Sequence, residues 1–575
     1  MMFVGFRPIL FLVSIGFSSL AFSAATPLSL LVKQCLQLPP LATGLQITDK
    51  QKQHDSDSLA QQMTQLEHRL LGFYNIKDRV NYYKQFPIHN DDKESLLNCQ
   101  FYLSDSLQRF VLSDEFTQLL PQLLNASNTE LTQLGQRLYR LLYKQQTREK
   151  KSQLHTAQAA FKQGLASQAL SLNFNDKRCQ LPQNITGSTP EQTPTPFNQS
   201  IASYLLQQPN ADCRKTIWQA YQARTIHRNT PILNTIIGIQ QAYAHKKGFN
   251  DYASLQTSTQ MLYSPALVST FLNSQTHSTN IPPWNIGIAL KNAEKSPFTA
   301  LSSADFLDKI YQALTPYGIR VEPISPYIHR VWLNGRLLGE LFLSSSHQFS
   351  YLPIRHIVVG QQFGQIELKI KDKVLNYQAA KKLISITAMA INDLSQGSHY
   401  YFNNTLGETH DSANIGRYWL EYALTQSLIG KPLAKSRDAI IQAYRQQLTV
   451  FRAKVALQTY QVNQQAPMKD LSQDFVNAFG DTWPQVNNYP VSFSAIADEG
   501  PLYYQSLWQA SLGQYLYTSL DHCHDQKAIF NALVVNEKST KLTERLSHLF
   551  NTPITPYELI QKIQNNAPLT CTVAQ

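Results

Sequence analysis

The sequence predicts a mainly α-helical fold with one small β-sheet insert near residues 318–370. Three observations carry this. Apolar residues recur at helical spacing before residue 318 and again from Gln378 to the end, as at Leu134, Leu138 and Leu142. Between these regions, Ile319–Val321, Arg330–Trp332, Leu337–Leu343 and Gln365–Ile370 alternate or carry β-branched residues, with Asn334-Gly335 as a turn signal. The chain of 575 residues is 43% hydrophobic and 11% aromatic, enough for a large core.

Residues 1–25 are expected to be a secretory signal peptide. Arg7 supplies the positive start, Ile9 to Phe17 the short apolar core, and Ala21, Ser23, Ala24 and Ala25 the small residues for cleavage. Residues 26–180 form an N-terminal helical region. Residues 181–200, with Pro182, Gly187, Pro190, Pro194 and Pro196 among Gln, Thr and Ser, make a loop. Residues 201–575 form a second, larger region that holds the β insert. All six cysteines follow the signal, which permits disulfides in an exported chain. Proximity in sequence suggests Cys35–Cys99, Cys179–Cys213 and Cys523–Cys571, with buried free thiols as the alternative. His522, Cys523 and His524 could bind a metal, but suit a polar loop better.

The formal charge is +11. Lys and Arg are dispersed, and the one dense run, Arg148 to Lys151, sits on a helical stretch. A solvated helix face follows, and no nucleic-acid partner is expected. No apolar run beyond the signal is long enough to span a bilayer, so no stable membrane insertion is expected once the signal is removed.

Self-contained catalytic motifs are absent: no H-E-x-x-H, no G-x-S-x-G elbow, no Walker loop and no G-x-G-x-x-G. Four degenerate stretches nevertheless follow one order. The first runs from Ile232 through Gly248, Phe249, Asn250, Asp251, Tyr252 and Ala253 to Met261, Ser264 and Pro265. The second is Asn334 to Leu343, with Gly335 and Gly339. The third is Val374 to His399, and the fourth Gly500 to Trp508. Together they resemble the thimet oligopeptidase, neurolysin and oligopeptidase A family of zinc metallopeptidases. The resemblance implies a large bilobed helical fold with a deep central channel. It covers residues 60 to 565, most weakly before 200.

The family's zinc helix carries H-E-F-G-H. In the corresponding stretch here, Asn392 stands for the first zinc histidine, Asp393 for the general-base glutamate and Gln396 for the second histidine. Glu421 lies 29 residues after Asn392, the family's interval to its third ligand. The resemblance makes Tyr503 and Tyr504 channel tyrosines, although core packing fits such residues too. The family's histidine upstream of those tyrosines is missing, since Ser494 and Ala495 occupy its place.

Two histidines at i and i+4 share a helix face and, with a carboxylate, hold a zinc that lowers the pKa of bound water to about 7. Asn392 and Gln396 keep the spacing, but amide oxygens are poor zinc ligands. Asp393 is one methylene shorter than glutamate, so its carboxylate falls about 1 Å short of the family's base. The expectation is an exported, catalytically inactive homologue that keeps a peptide-binding cleft and needs no cofactor. Asn392, Gln396 and Glu421 would then form a hydrogen-bonded network where zinc once sat. Two alternatives stay open. One is an active zinc oligopeptidase with a site rebuilt from Glu421, Asp393 and His399 or His410. The other is a secreted structural or interaction protein. Export would end in a periplasm or outside the cell.

Overall fold

The computed structural model describes residues 26–41, 56–143, 148–166, 179, 197–461, 471–520 and 525–566. The expected signal peptide, most of the expected 181–200 loop, the expected Cys523–Cys571 pair and the His522–His524 stretch lie outside these residues. The helical fold with its small sheet is as the sequence predicts.

The N-terminal part consists of the helices Pro27–Leu36, Ser56–Tyr83, Asn90–Val111, Asp114–Leu124 and Thr129–Tyr143. Their starts are written locally. The Thr26 hydroxyl accepts from the Ser29 amide, with Pro27 in the first turn, and the Ser113 hydroxyl accepts from the Phe116 amide. Asp91 and Asp92 favour the positive end of the third helix. Their apolar stripes meet in one core around Leu66, Phe73, Leu103, Phe116 and Leu134. Tyr400, Tyr401 and Phe402, from the other end of the chain, complete it. Cys35–Cys99 ties the first helix to the third, and Cys179–Cys213 forms as the sequence suggests.

A second, larger core gathers the remaining helices around the sheet. The five-stranded sheet has the order β2-β3-β4-β6-β5: β2 Ile319–Ser325, β3 Ile328–Leu333, β4 Arg336–Ser345, β5 Ser350–Arg355 and β6 Gly364–Ile370. A separate two-stranded sheet pairs β1 Leu301–Ser302 with β7 Lys373–Val374. Asn334 and Gly335 both have positive φ, 49° and 87°, and make the tight turn between β3 and β4. β4 and β6 run parallel.

Gly339 explains why the second motif needs its glycine. A Cβ there would lie 2.3 Å from the Gly364 carbonyl oxygen and 2.6 Å from Leu394 Cδ2. The bare backbone lets the sheet rest on the end of the helix Tyr377–Leu394. That helix starts at Asn376, whose side chain accepts from the Ala379 amide. It buries Leu383, Ile384, Ile386, Ala388, Ala390, Ile391 and Leu394, and its partner is the helix Ile415–Leu428. The C-terminal end of Tyr377–Leu394 is thus fixed between sheet and helices.

Candidate functional site

Asn392 and Asp393 lie in the last turn of this helix, and Gln396 just beyond its end. The Asn392 amide donates to Asp393 Oδ1 at 3.0 Å, and the Tyr351 hydroxyl donates to Asp393 Oδ2. The Gln396 amide donates to the Asn392 carbonyl at 3.0 Å and to the Val534 carbonyl at 3.3 Å. All three side chains are therefore committed to protein partners.

Glu421 goes elsewhere. Its carboxylate accepts from the Ser385 hydroxyl at 2.9 Å and lies 4.0 Å from Arg417. Ser385 precedes Asn392 by seven residues, about 10 Å along the helix axis at 1.5 Å per residue. Oxygen or nitrogen ligands sharing one zinc lie roughly 3–4 Å apart. Asn392, Gln396 and Glu421 therefore do not converge, and the expected network of the three is split in two. Among the described residues, no group of three or more His, Cys, Asp or Glu could hold a metal ion. The donors present do not fit the zinc that the resemblance implies.

The other candidates are spread out. His399 is half-exposed; its ring Nδ1 lies 3.2 Å from Glu130 Oε2, and its backbone N–H donates to Glu130 Oε1 at 2.7 Å. The hydrogen bond to Glu130 raises its pKa. His410 has an exposed side chain, and its backbone N–H donates to Gln260. Tyr504 is fully buried and donates to Asp411 Oδ2 at 3.0 Å. Tyr503 is half-buried and packs edge-on against Phe493. Tyr504 lies within the larger core and Tyr503 packs against it.

Sequence reasoning passed over Asp411, which sits beside the His410 it singled out. This fully buried carboxylate accepts from the Met261 and Leu262 amides at 2.8 and 2.9 Å, from the Tyr504 hydroxyl, and from the Thr409 hydroxyl at 2.6 Å. It joins Met261 of the first motif to Tyr504 of the fourth.

Asn392, Asp393 and Gln396 do share a feature: they form one wall of a polar cavity of about 200 Å³. The rest of the lining includes Arg137 from the N-terminal helices, His356 from beyond β5, Glu408 from the 403–408 segment and Arg545 from the C-terminal helices. A larger hollow of about 740 Å³ lies apart, lined by Asn273, Thr276, Lys454 and Asp474. It contains none of the candidate residues, and its lysine and aspartate already pair at 3.0 Å.

Behind His356 runs a buried acid–base chain. His356 Nδ1 lies 2.8 Å from Asp78 Oδ2, and the His356 backbone N–H donates to the same oxygen. Tyr401 donates its hydroxyl to Asp78 Oδ1 and its backbone N–H to Glu67 Oε1, each at 2.5 Å. Burial pushes Glu67 up to about 8. Burial also opposes charge on Asp78 and His356, but their mutual hydrogen bond and attraction win: Asp78 is lowered and His356 raised.

The signs of these shifts fix a pH dependence. Glu67 keeps its proton in the folded state while the unfolded chain releases it, so stability falls as pH rises from about 4.5 to about 8. The His356 contribution is complete below its ordinary value of about 6.5 and is lost as pH rises through its raised folded value. The Asp78 contribution is present above 3.8 and is lost as pH falls through its lowered folded value. The melting temperature is therefore expected to peak near pH 4–5 and to decline toward pH 8. Glu67→Gln should flatten most of that decline, which thermal melts followed by circular dichroism would show. An unchanged slope in the variant would reject Glu67 as its source.

Comparison with known proteins adds a likeness to one family over part of the chain. Residues 204–296 match Peptidase family M3. This segment holds the first motif and the helices from Ala211–Ala223 to Ile286–Asn292. Comparison with curated protein sequences finds no match. Among solved structures, a carboxypeptidase from Pyrococcus furiosus, described as its apo-Mg form, is similar at 10% identity and a TM-score of 0.46, over 90% of this chain and 100% of that one. Over residues 204–296, the chain is similar to the M3-type metallopeptidases.

Proposed function

We propose that this chain is an exported, non-catalytic relative of the M3-type metallopeptidases that binds short peptides without cleaving them. One observation carries the reading. The side chains at the family's ligand and base positions are engaged with protein partners, and Glu421 meets Ser385 about two helical turns from Asn392. No rearrangement of one side chain alone would assemble a zinc site there. The polar cavity beside the same residues supplies a place for a ligand. Export is supported by the signal-like start and by the two disulfides, which persist in oxidising compartments. No helix among the described residues is long and apolar enough to cross a membrane.

The test is to incubate the mature protein with a mixed library of short peptides and analyse both bound and free fractions by mass spectrometry. Retention of a subset of intact peptides is expected. Cleavage products that accumulate with time would overturn the reading. Neither retention nor cleavage would favour a structural or interaction role.

A further inference from the structure

The cavity beside Asn392 is built from segments far apart in sequence, and its lining differs in charge balance from one part to another. At the Asp393 wall, both carboxylate oxygens already accept hydrogen bonds, from Asn392 and Tyr351. His356 stands near and is held toward its charged form by Asp78. Elsewhere in the lining stand Glu408 and the guanidinium groups of Arg137 and Arg545, with Arg140 near enough to interact with Arg137 and Glu408. The Glu408 side chain accepts from the Leu542 backbone N–H at 2.7 Å. Arg140 donates to the carbonyls of Gly407 and Glu408. Arg545 donates through Nη1 to the carbonyls of Ala532 and Leu533, while its Nε is shut off from solvent without an acceptor.

Arg137 is the most telling of the three. It is only 5% exposed, yet it lines the cavity. Its Nε donates to the Leu406 carbonyl at 2.6 Å and its Nη1 to Asn403 Oδ1 at 3.1 Å. Neutral oxygens thus hold it in place, and its Nη2 has no acceptor among the described residues. Buried guanidinium groups are ordinarily paired with carboxylates. Here burial, together with the neighbouring Arg140 and Arg545, pushes Arg137 down to about 10 and burial does the same to Arg545, the attraction of Glu408 offsetting only part of either shift. Positive charge is under-compensated in this part of the lining.

We propose that this cavity is a carboxylate-binding site in which Arg137 and Arg545 hold the anion. Planar guanidinium groups match the geometry of a carboxylate, and charge-assisted hydrogen bonds of this kind are the strong ones. A monoanion suits the site better than a dianion, because Glu408 and Asp393 also face the cavity. The volume of about 200 Å³ is below the roughly 300–1,000 Å³ of ordinary small-molecule pockets and fits the end of a chain rather than its middle. Combined with the peptide-binding reading, on which this part rests, the bound group is the C-terminal carboxylate of a short peptide. A free small monocarboxylate offers the same chemistry.

Calorimetric titration of the full mature protein separates these possibilities. The probes are a tripeptide retained from the library in its free-acid form, the same tripeptide as its C-terminal amide, and acetate against chloride at equal ionic strength. Where no peptide is retained, trialanine and its amide take their place. Binding of the acid at least tenfold tighter than the amide is expected. Arg137→Gln should reduce that binding at least tenfold and abolish the preference, and Arg545→Gln is a second variant should the first not fold. Binding of acetate but of neither peptide would keep the carboxylate site and remove the peptide reading. Equal binding of acid and amide would keep the peptide reading and overturn the carboxylate site. Absence of binding by every probe would overturn both.

Discussion

Asp411→Ala is expected to destabilise the protein by on the order of 5 kcal/mol. The carboxylate is fully buried and accepts from four donors: two backbone amides, a tyrosine hydroxyl and a threonine hydroxyl. Alanine leaves these donors without an acceptor. Leu262 and Tyr504 are themselves buried, so water cannot readily take its place. Each stranded buried donor costs about 1–3 kcal/mol. Asp411→Asn, which retains one acceptor oxygen, should cost roughly half as much, and Tyr504→Phe about 1 kcal/mol. Urea unfolding of the three variants measures the series. The alanine variant should also weaken ligand binding, because Ser412 to Gly416 follow Asp411 directly and line the cavity. A loss below about 1 kcal/mol for Asp411→Ala would contradict the role assigned to this residue.

Replacing both Cys35 and Cys99 by serine is expected to cost about 4 kcal/mol, from the loop-closure entropy that a cross-link of this length removes from the unfolded chain. The bond spans 64 residues and joins the helix Pro27–Leu36 to Asn90–Val111. The first helix has ten residues, too few to be stable in water alone, and only Leu28, Leu31 and Cys35 are buried. Its attachment therefore depends on the bridge. The same N-terminal unit supplies Glu67, Asp78 and Arg137 to the acid–base chain and the cavity, so the double variant should lose ligand affinity as well as stability. Denaturant unfolding in the presence and absence of reductant checks this. Identical curves for the variant and the oxidised parent would refute it.

Legibility in the sequence varied with the range of the interaction. The sheet was readable because its signals are local: β-branched alternation and the Asn334-Gly335 turn fix β3 and β4. β5 carries Pro353, which would be out of place in a central strand; the sheet places β5 at an edge, where proline is tolerated. The two disulfides within the described residues followed from proximity in sequence. Asn392 and Asp393 share the last helical turn, with Gln396 just beyond it, a closeness that short spacing along the chain implies. Glu421 does not join them, because a count of residues between two helices includes the connecting loop. The antiparallel register of Tyr377–Leu394 and Ile415–Leu428 decides the contact, and it selects Ser385. The cavity was the least legible feature. Arg137 meets Asn403 across 266 positions and Tyr401 meets Asp78 across 323, pairings that only the packed fold can create.

Asn392, Gln396 and Glu421, at the positions that the resemblance assigns to zinc ligands, do not come together as a metal site. The most direct test is metal analysis of the purified protein after equilibration with zinc and gel filtration, together with that of Glu421→Ala. The account predicts zinc far below one ion per chain, with no difference between the two proteins. One zinc per chain in the parent, lost in Glu421→Ala, would contradict it.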